Sequence, residues 1–379
     1  MIRVAKPFVG KEEIEAVSKV LLSGNYVSGK KVREFEKKWA DYIGVKEAIA
    51  VNSGTAALHV ALAVLGIGPR DEVIVPPMTF FSTITAVLHQ NAIPVFADIE
   101  EDTLCLDPES FRGMITERTK AVIPVHLFGN AANMPEIMRI AVKYNINVIE
   151  DAAQAHGTEI NDKRVGSIGD IGTFSFFATK HITTGEGGMT TTDNSEWAEV
   201  MRSIRNHGMS DRDNHTRLGY NYRMSEINAA IGLEQLKKID MLNDKRIKNS
   251  EYIIHMLSEN KPSWIKLMDV RENVKHTYFW CPVIVNEKIL GMSTKELHEK
   301  LKENGLETRY RYLAPLYKQP LLKELSPYES LETDKNYNYN NIFLPIAEKY
   351  AGKIIGLPNH PGLTKKECDR IVAILHEVN

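Results

Sequence analysis

Between residues 47 and 192, short runs rich in Val and Ile alternate with longer segments whose apolar residues recur at helical spacing. The strand-like runs are "EAIAV" (47–51), "EVIVP" (72–76), "IPVFAD" (93–98), "AVIPVH" (121–126), "NVIED" (147–151), "TFSFF" (173–177) and "GGMTTT" (187–192). Between them lie helix-like stretches such as "TAALHVALAVLG", "TITAVLHQN" and "MPEIMRIAVKYN". Parallel strands need a crossover between them, and runs this apolar need cover on both faces. The expected fold is therefore α/β, a parallel or mostly parallel seven-stranded sheet flanked by helices. Ligands of such sheets bind beyond the carboxyl ends of the strands, so polar residues at strand ends are the first candidates for function.

At 379 residues the chain exceeds what one hydrophobic core holds, and two domains are expected. The segment "SEINAAIGLEQLKKIDMLNDKRIKNSEYIIHMLSEN" has helical spacing and no Pro, which predicts one long or bent helix over about 225–259. The boundary is placed inside it, giving a large α/β domain (1–240) and a smaller α+β domain (241–379) that contains "YFWCPVIV" (278–285) and "STKELHEKLKENG" (293–305). The Asn- and Tyr-rich stretch "DKNYNYNNIF" (334–343) reads as an exposed loop. The formal net charge of -2, with basic and acidic residues interspersed, argues against nucleic acid as a partner. The three cysteines are far apart and belong to no Cys/His cluster, so no disulfide framework and no metal site is expected. No apolar run approaches the roughly 18 residues that cross a bilayer, and the charged start has no cleavable apolar segment. A cytoplasmic protein with no membrane partner is expected.

Three strand ends carry candidate chemistry. Lys180 follows an apolar, aromatic run and precedes a glycine-rich turn in "GTFSFFATKHITTGEGG". A lysine amine, with an ordinary pKa of about 10.4, becomes a nucleophile at neutral pH only where its surroundings favour the neutral form. "VIEDAAQAHG" ends a buried strand in Glu150-Asp151, where an acid either caps the next helix or holds a proton on a heterocyclic nitrogen, with the Gln154 amide in reach of the same ring. In "AVNSGTAALH" a strand ends, Gly54 turns the chain and Thr55 opens a helix whose free N–H groups suit a phosphate. Each has a plain structural reading by itself. Together, a phosphate-binding helix start, a strand-end acid and a lysine fit pyridoxal 5'-phosphate.

In order along the chain, "NSGTAALH", "PPMTFFST", "PVHLFGN", "VIEDAAQAHG", "FSFFATKHITTGEGG", "RNHG", "GYNYRMSEINAAIGLEQL", "GLETRYRY", "PLYKQP" and "GLPNHPGLT" resemble the DegT/StrS-type sugar aminotransferases of the fold type I, aspartate aminotransferase superfamily. The resemblance covers nearly the whole chain. It implies that Lys180 forms the imine with pyridoxal phosphate and moves the substrate proton, that Asp151 partners the pyridinium nitrogen, and that Gln154 lies near the phenolic oxygen. It assigns Gly54, Thr55 and Ser175 to the phosphate and Phe80 to stacking on the ring. Asn221 would come from the neighbouring subunit of a homodimer with shared active sites. Relatives with histidine in place of the lysine are sugar dehydratases, so Lys180 favours transamination. Where many relatives carry two histidines this chain has Arg311 and Tyr317, in "TRYRYLAPLY". Arg309 and Arg311 are candidates for a pyrophosphate or sugar carboxylate.

The function implied is transfer of an amino group from an amino acid, L-glutamate first, to a nucleotide-linked keto-sugar for polysaccharide synthesis. "ITTGEGG" resembles members that aminate C4 of 6-deoxy keto-sugars, as in perosamine formation. The alternatives are an aminotransferase for a keto-cyclitol or other ketone, and a cofactor-binding accessory protein without turnover.

Overall fold

The structure, a computed structural model, describes residues 1–27, 29–324 and 338–378. Its centre is a seven-stranded sheet built from β1 (Glu47–Val51), β2 (Glu72–Val75), β3 (Ile93–Phe96), β4 (Thr119–Val122), β5 (Asn147–Asp151), β8 (Ile171–Ser175) and β9 (Gly188–Thr192), in the order β1-β9-β8-β5-β4-β2-β3. A small hairpin, β6 (Glu159–Ile160) and β7 (Lys163–Arg164), lies outside this sheet and pairs with Val274–Lys275. All pairings in the large sheet are parallel except those of β9, which runs antiparallel to both β8 and β1. The cause is the connection from β8 to β9, which contains no crossover helix and so returns the chain in the opposite sense. Lys180 sits in that return. The strand runs read from the sequence match in number and place, with shifts at the ends: β8 begins at Ile171 and stops before Phe176.

Helices cover the sheet through aromatic contacts. Phe35 and Trp39, on the helix Lys30–Ile43, are fully buried. Trp39 meets Phe174 and Phe176 edge-on at centroid distances of 5.0 and 4.9 Å, a favoured arrangement for aromatic rings. A second core gathers Ile253, Leu257, Trp264, Val283, Leu301, Ile355, Ile371 and Leu375 around a four-stranded sheet ordered Ile265–Leu267, Cys281–Val285, Ile354–Leu357, Arg309–Tyr310.

The expected single helix over 225–259 is two, Glu226–Leu236 and Ile239–Glu259, broken at Lys237-Lys238. The second helix serves both cores, with Ile239 and Leu242 in the first and Ile253 and Leu257 in the second. The chain start also returns to the smaller sheet. Ile2 N donates to the Gly305 carbonyl and accepts at its own carbonyl from Glu307 N. Of the stretch expected as an exposed loop, 334–337 lie outside the described residues, and Tyr339 is buried, donating to the Pro94 carbonyl at 3.0 Å. All three cysteines are free and buried. Among the described residues no helix is long and apolar enough to cross a membrane.

At the end of β5, Glu150 is wholly buried and its carboxylate accepts from the backbone N–H groups of Gly166, Ile168 and Gly169 at 2.7 to 2.8 Å. His126 Nδ1 accepts from Ala132 N, so its Nε2 carries the hydrogen that it donates to Glu150 at 3.0 Å. Burial pushes this carboxyl up, but His126 and the backbone donors outweigh it and hold the pKa below the ordinary 4.5. A group with a depressed folded pKa contributes stability above its unfolded value and loses it as pH falls through the folded one. Glu150→Ala, which leaves three backbone donors and His126 unpaired, is expected to lower stability at pH 7 by about 3–5 kcal/mol. The gap between variant and wild type should narrow as pH falls below 4.5. Urea unfolding at several pH values checks both, and a pH-independent gap would remove Glu150 from this role.

Candidate active site

Adjacent residues of a strand point to opposite faces, so Glu150 turns into the loop 166–169 and Asp151 turns away from it. Asp151 is 5% exposed, with one oxygen accepting from Thr83 Oγ1 at 3.0 Å and the other from Ala153 N at 3.2 Å. The acceptor pattern leaves no helix for Asp151 to cap. Burial pushes its carboxyl above the ordinary range, and the Ala153 N–H, the Thr83 hydroxyl and the Lys180 charge oppose this without cancelling it. β8 pairs in parallel with β5, Thr173 opposite Asp151, which carries the Lys180 loop to the same edge.

Lys180 is half-buried, its Nζ 4.7 Å from the centroid of the Phe279 ring. Burial pushes its pKa down to about 8; the Asp151 carboxylate pulls it up, and Arg309 pushes it further down. The structure therefore brings Lys180, Asp151 and Arg309 within mutual electrostatic reach. Arg309 lies on the strand paired with Ile354–Leu357, over the Trp280 ring, with its Nε buried and unpartnered. Arg311 is exposed.

Gln154 is bracketed. Its Oε1 accepts from Phe128 N at 3.2 Å and its Nε2 donates to the Tyr312 hydroxyl at 3.1 Å. Phe128 and Tyr312 both hold left-handed backbones, φ 60° and 57°. For non-glycine residues that costs on the order of 1–3 kcal/mol each and persists only where the surroundings impose it. Here the Phe128–Trp280 stack at 5.0 Å and the Phe128–Tyr312 contact at 5.7 Å supply the constraint.

The phosphate candidates also meet. Ser53 caps the helix Gly54–Val64 by accepting from Ala56 N, and no hydrogen bond from the Gly54 or Thr55 N–H is seen among the described residues. A Cβ on Gly54 would stand 2.7 Å from Ser175 Cβ, so the strand end and helix start close on each other only because this residue is glycine. Phe80 is 68% exposed, in the loop that leads to Thr83. Asn221 is exposed; its carbonyl accepts from Asn52 Nδ2 at 3.3 Å, and its side chain has no partner among the described residues.

Sequence reasoning misses Thr83, Phe279 and Tyr312. Thr83 was readable, standing three residues beyond Phe80 in the first turn of a helix that follows a strand; Phe279 reaches Lys180 from a distant element and leaves no local signal. Tyr317, one of the two positions where many relatives carry histidine, is buried, donating from its hydroxyl to Glu348 at 2.7 Å and packing edge-on to Phe96. Its large ring fills the core beneath the site, a place its neighbours in sequence do not reveal.

A buried strand-end carboxylate, a lysine held toward its neutral form and a helix start closed on a serine define a fold type I transferase. The chain belongs to the DegT/DnrJ/EryC1/StrS aminotransferase family, whose model matches residues 7–376. It is 39% identical to the GDP-perosamine synthase of Caulobacter vibrioides, over 92% of this chain and 90% of that one. It is 37% identical to the spore coat polysaccharide biosynthesis protein SpsC of Bacillus subtilis, over 98% and 95%. Among solved structures it superposes on DesV of S. venezuelae, determined with a ketimine intermediate, with a TM-score of 0.88 at 32% identity, covering 97% of this chain and 94% of that one.

The neutral amine becomes the majority form above its pKa, so the reactivity of Lys180 in cofactor-free protein toward an amine-selective reagent should rise with a midpoint near 8. Because the Asp151 charge raises that value, Asp151→Asn should move the midpoint lower still. Competitive labelling with mass spectrometry reads both, and a midpoint near the 10.5 of a free lysine contradicts the burial argument.

Proposed function

We propose that this aminotransferase uses pyridoxal 5'-phosphate to move an amino group from an amino acid, L-glutamate, to a nucleotide-linked keto-sugar, at C4 of a 6-deoxy sugar. The observation that carries the reading is the pairing of half-buried Lys180 with buried Asp151 at the carboxyl edge of the sheet. The residues fit the cofactor. The start of the helix at Gly54 closes on Ser175 so tightly that a Cβ would fill the space, its first N–H groups have no hydrogen bond among the described residues, and Asp151 offers a buried carboxylate to a ring nitrogen. When bound, the cofactor supplies an electron sink for the charge left by removal of the substrate α-proton.

The chain's own residues then have separate tasks. Lys180 would hold the cofactor and, once displaced by the amino-acid donor, its free amine would take the α-proton at Nζ and pass it on instead of returning it to the same carbon. Arg309 helps to keep that amine neutral. Asp151 would hold a proton on the ring nitrogen, its two oxygens fixed by Thr83 Oγ1 and Ala153 N. The keto-sugar reading is supported by the names of the relatives, a nucleotide-sugar synthase and a polysaccharide biosynthesis protein. A cytoplasmic setting agrees with substrates of that kind.

Purified protein loaded with pyridoxal phosphate should be yellow and bleach with L-glutamate, and borohydride reduction should fix the pyridoxyl group on Lys180. Asp151→Asn should retain cofactor yet lose at least about 100-fold in turnover, the scale on which a positioned proton-holding group contributes. Lys180→His should give no amino-sugar from UDP-, GDP- or dTDP-linked keto-sugars. A pyridoxyl group on another lysine, or near-normal turnover in either variant, contradicts the assignment.

We also infer a homodimer in which Asn221 completes the partner's phosphate site, a reading supported by its exposed side chain having no partner among the described residues. When inactive Lys180→Ala and Asn221→Trp proteins exchange subunits, one site of each hybrid has both lesions and the other has neither. Random exchange then restores about a quarter of wild-type activity. No recovery, with hybrid dimers shown to form, means that Asn221 serves its own chain.

A further inference from the structure

The Gln154 amide has one orientation. Only its carbonyl oxygen can accept from the Phe128 backbone N–H, 3.2 Å away, so its NH2 group faces the Tyr312 hydroxyl at 3.1 Å. That group carries two hydrogens and Tyr312 takes one, while the other has no acceptor among the described residues. Gln154 is 5% exposed, and a buried donor without a partner calls for one. Burial pushes the Tyr312 hydroxyl up to about 12; Gln154, Arg311 and Arg309 lower it and Asp151 raises it. At neutral pH the hydroxyl therefore keeps its proton and meets Gln154 as a neutral acceptor.

The chain accepts left-handed backbone on both sides of this one amide, at Phe128 in the turn after β4 and at Tyr312 after the strand Arg309–Tyr310 of the smaller sheet. The Gly352 N–H holds the Tyr312 carbonyl at 2.8 Å, and the Trp280 and Phe128 rings pack 5.8 and 5.7 Å from its ring. A phenylalanine at 312 would make the same ring contacts, so what the hydroxyl adds is a fixed acceptor for Gln154. We propose that Tyr312 is a positioning residue, whose hydroxyl oxygen sets the rotation of the Gln154 amide so that its remaining N–H is presented to the phenolic oxygen of pyridoxal phosphate. This rests on the cofactor reading above, with the phenolic oxygen beside Gln154 as the family resemblance implies. The smaller sheet, through Tyr312, then helps to set the charge state of a group bound at the edge of the larger one. Without the hydroxyl the amide keeps one anchor of two and turns about a soft terminal torsion.

A donor on the phenolic oxygen favours its anionic form and lowers the pH at which the bound cofactor gives up its proton. A double-mutant cycle on cofactor-loaded protein reads this as the pH midpoint of the visible absorbance change, with Lys180, Asp151, Arg309 and Arg311 kept in every variant. Gln154→Ala should raise the midpoint by about one pH unit, the scale of one hydrogen bond to a charged group. Tyr312→Phe, which removes only the hydroxyl, should raise it by about half as much or more. The double variant should lie within about 0.3 pH unit of Gln154→Ala, since residues that act through one another do not add. Where the wild-type midpoint lies beyond the pH range the fold tolerates, the dissociation constant of pyridoxamine 5'-phosphate takes its place. That constant should rise about tenfold in Gln154→Ala, at least about threefold in Tyr312→Phe, and no further in the double variant. A merely structural hydroxyl would alter urea stability and leave both readings unmoved. An unmoved reading in Tyr312→Phe overturns the proposal, and so do additive effects, which mean that Tyr312 does not act through Gln154. Coupled shifts in a protein that aminates no keto-sugar leave the inference standing and remove the proposed function. Uncoupled or absent shifts in a protein that does form amino-sugar do the reverse, and wild type that binds no pyridoxamine 5'-phosphate overturns both.

Discussion

The end of β5 places two carboxylates on consecutive residues, and the architecture of the site depends on their separation. A strand turns successive side chains to opposite faces, so Glu150 and Asp151 meet different surroundings although they share a peptide bond. Glu150 finds His126 and three backbone N–H groups and stays ionised. Asp151 finds one hydroxyl, one N–H and an apolar setting, and its carboxyl is pushed up. The first acid holds the loop 166–169, the second faces the site. A one-residue slip of β5 against β4 and β8 would exchange the two roles, and the parallel pairings on both sides prevent it.

The same edge sets the state of Lys180. An acid directly paired with a lysine raises the amine's pKa and makes it a worse base. Here Asp151 acts at a distance while burial and Arg309 act against it, and the balance falls toward the neutral amine. Phe279 contributes a ring face 4.7 Å from Nζ, attractive to a cation but without a proton acceptor. The amine is thus kept close to neutrality without a hydrogen-bonded partner that would have to be broken before it could act.

Much of this was legible in the chain. The seven Val- and Ile-rich runs carry the sheet because burial on both faces demands continuous apolar residues. Lys180, Asp151 and Gly54 stand out because each is a polar or permissive residue at the end of such a run. What the sequence hides is set by long-range contact. The break at Lys237-Lys238 follows no Pro or Gly, and Lys238 instead turns inward to pair with Glu13, 225 residues away. Tyr317 and Tyr339 look like surface tyrosines until Phe96 is placed between them, edge-on to both rings. Gln154 was readable as a candidate, yet its grip on Phe128 and Tyr312 depends on two left-handed residues that nothing local announces.

Local rules are broken most openly where the chemistry is assigned. Among the described residues Lys180 is half-buried with no ion pair, Arg246 is buried with none, and Arg309 has a buried Nε without a partner. Elsewhere the buried charges are matched: Glu150 by His126, Glu36 by Arg205, Glu13 by Lys238. A fold able to compensate those three acids had the means to compensate three cations, so the surplus of positive charge around Lys180 is selective rather than general. Sequences that specify one structure satisfy their polar groups nearly everywhere and leave exceptions where a ligand completes them. Among the exceptions are neutral imidazoles, amides and indoles as well as cations, but the cations Lys180 and Arg309 both stand at the candidate site, where an anionic ligand would meet their charge. A phosphate at the helix start of Gly54, as proposed above, would be such an anion, brought to the amine from a different element than the strand that carries Arg309.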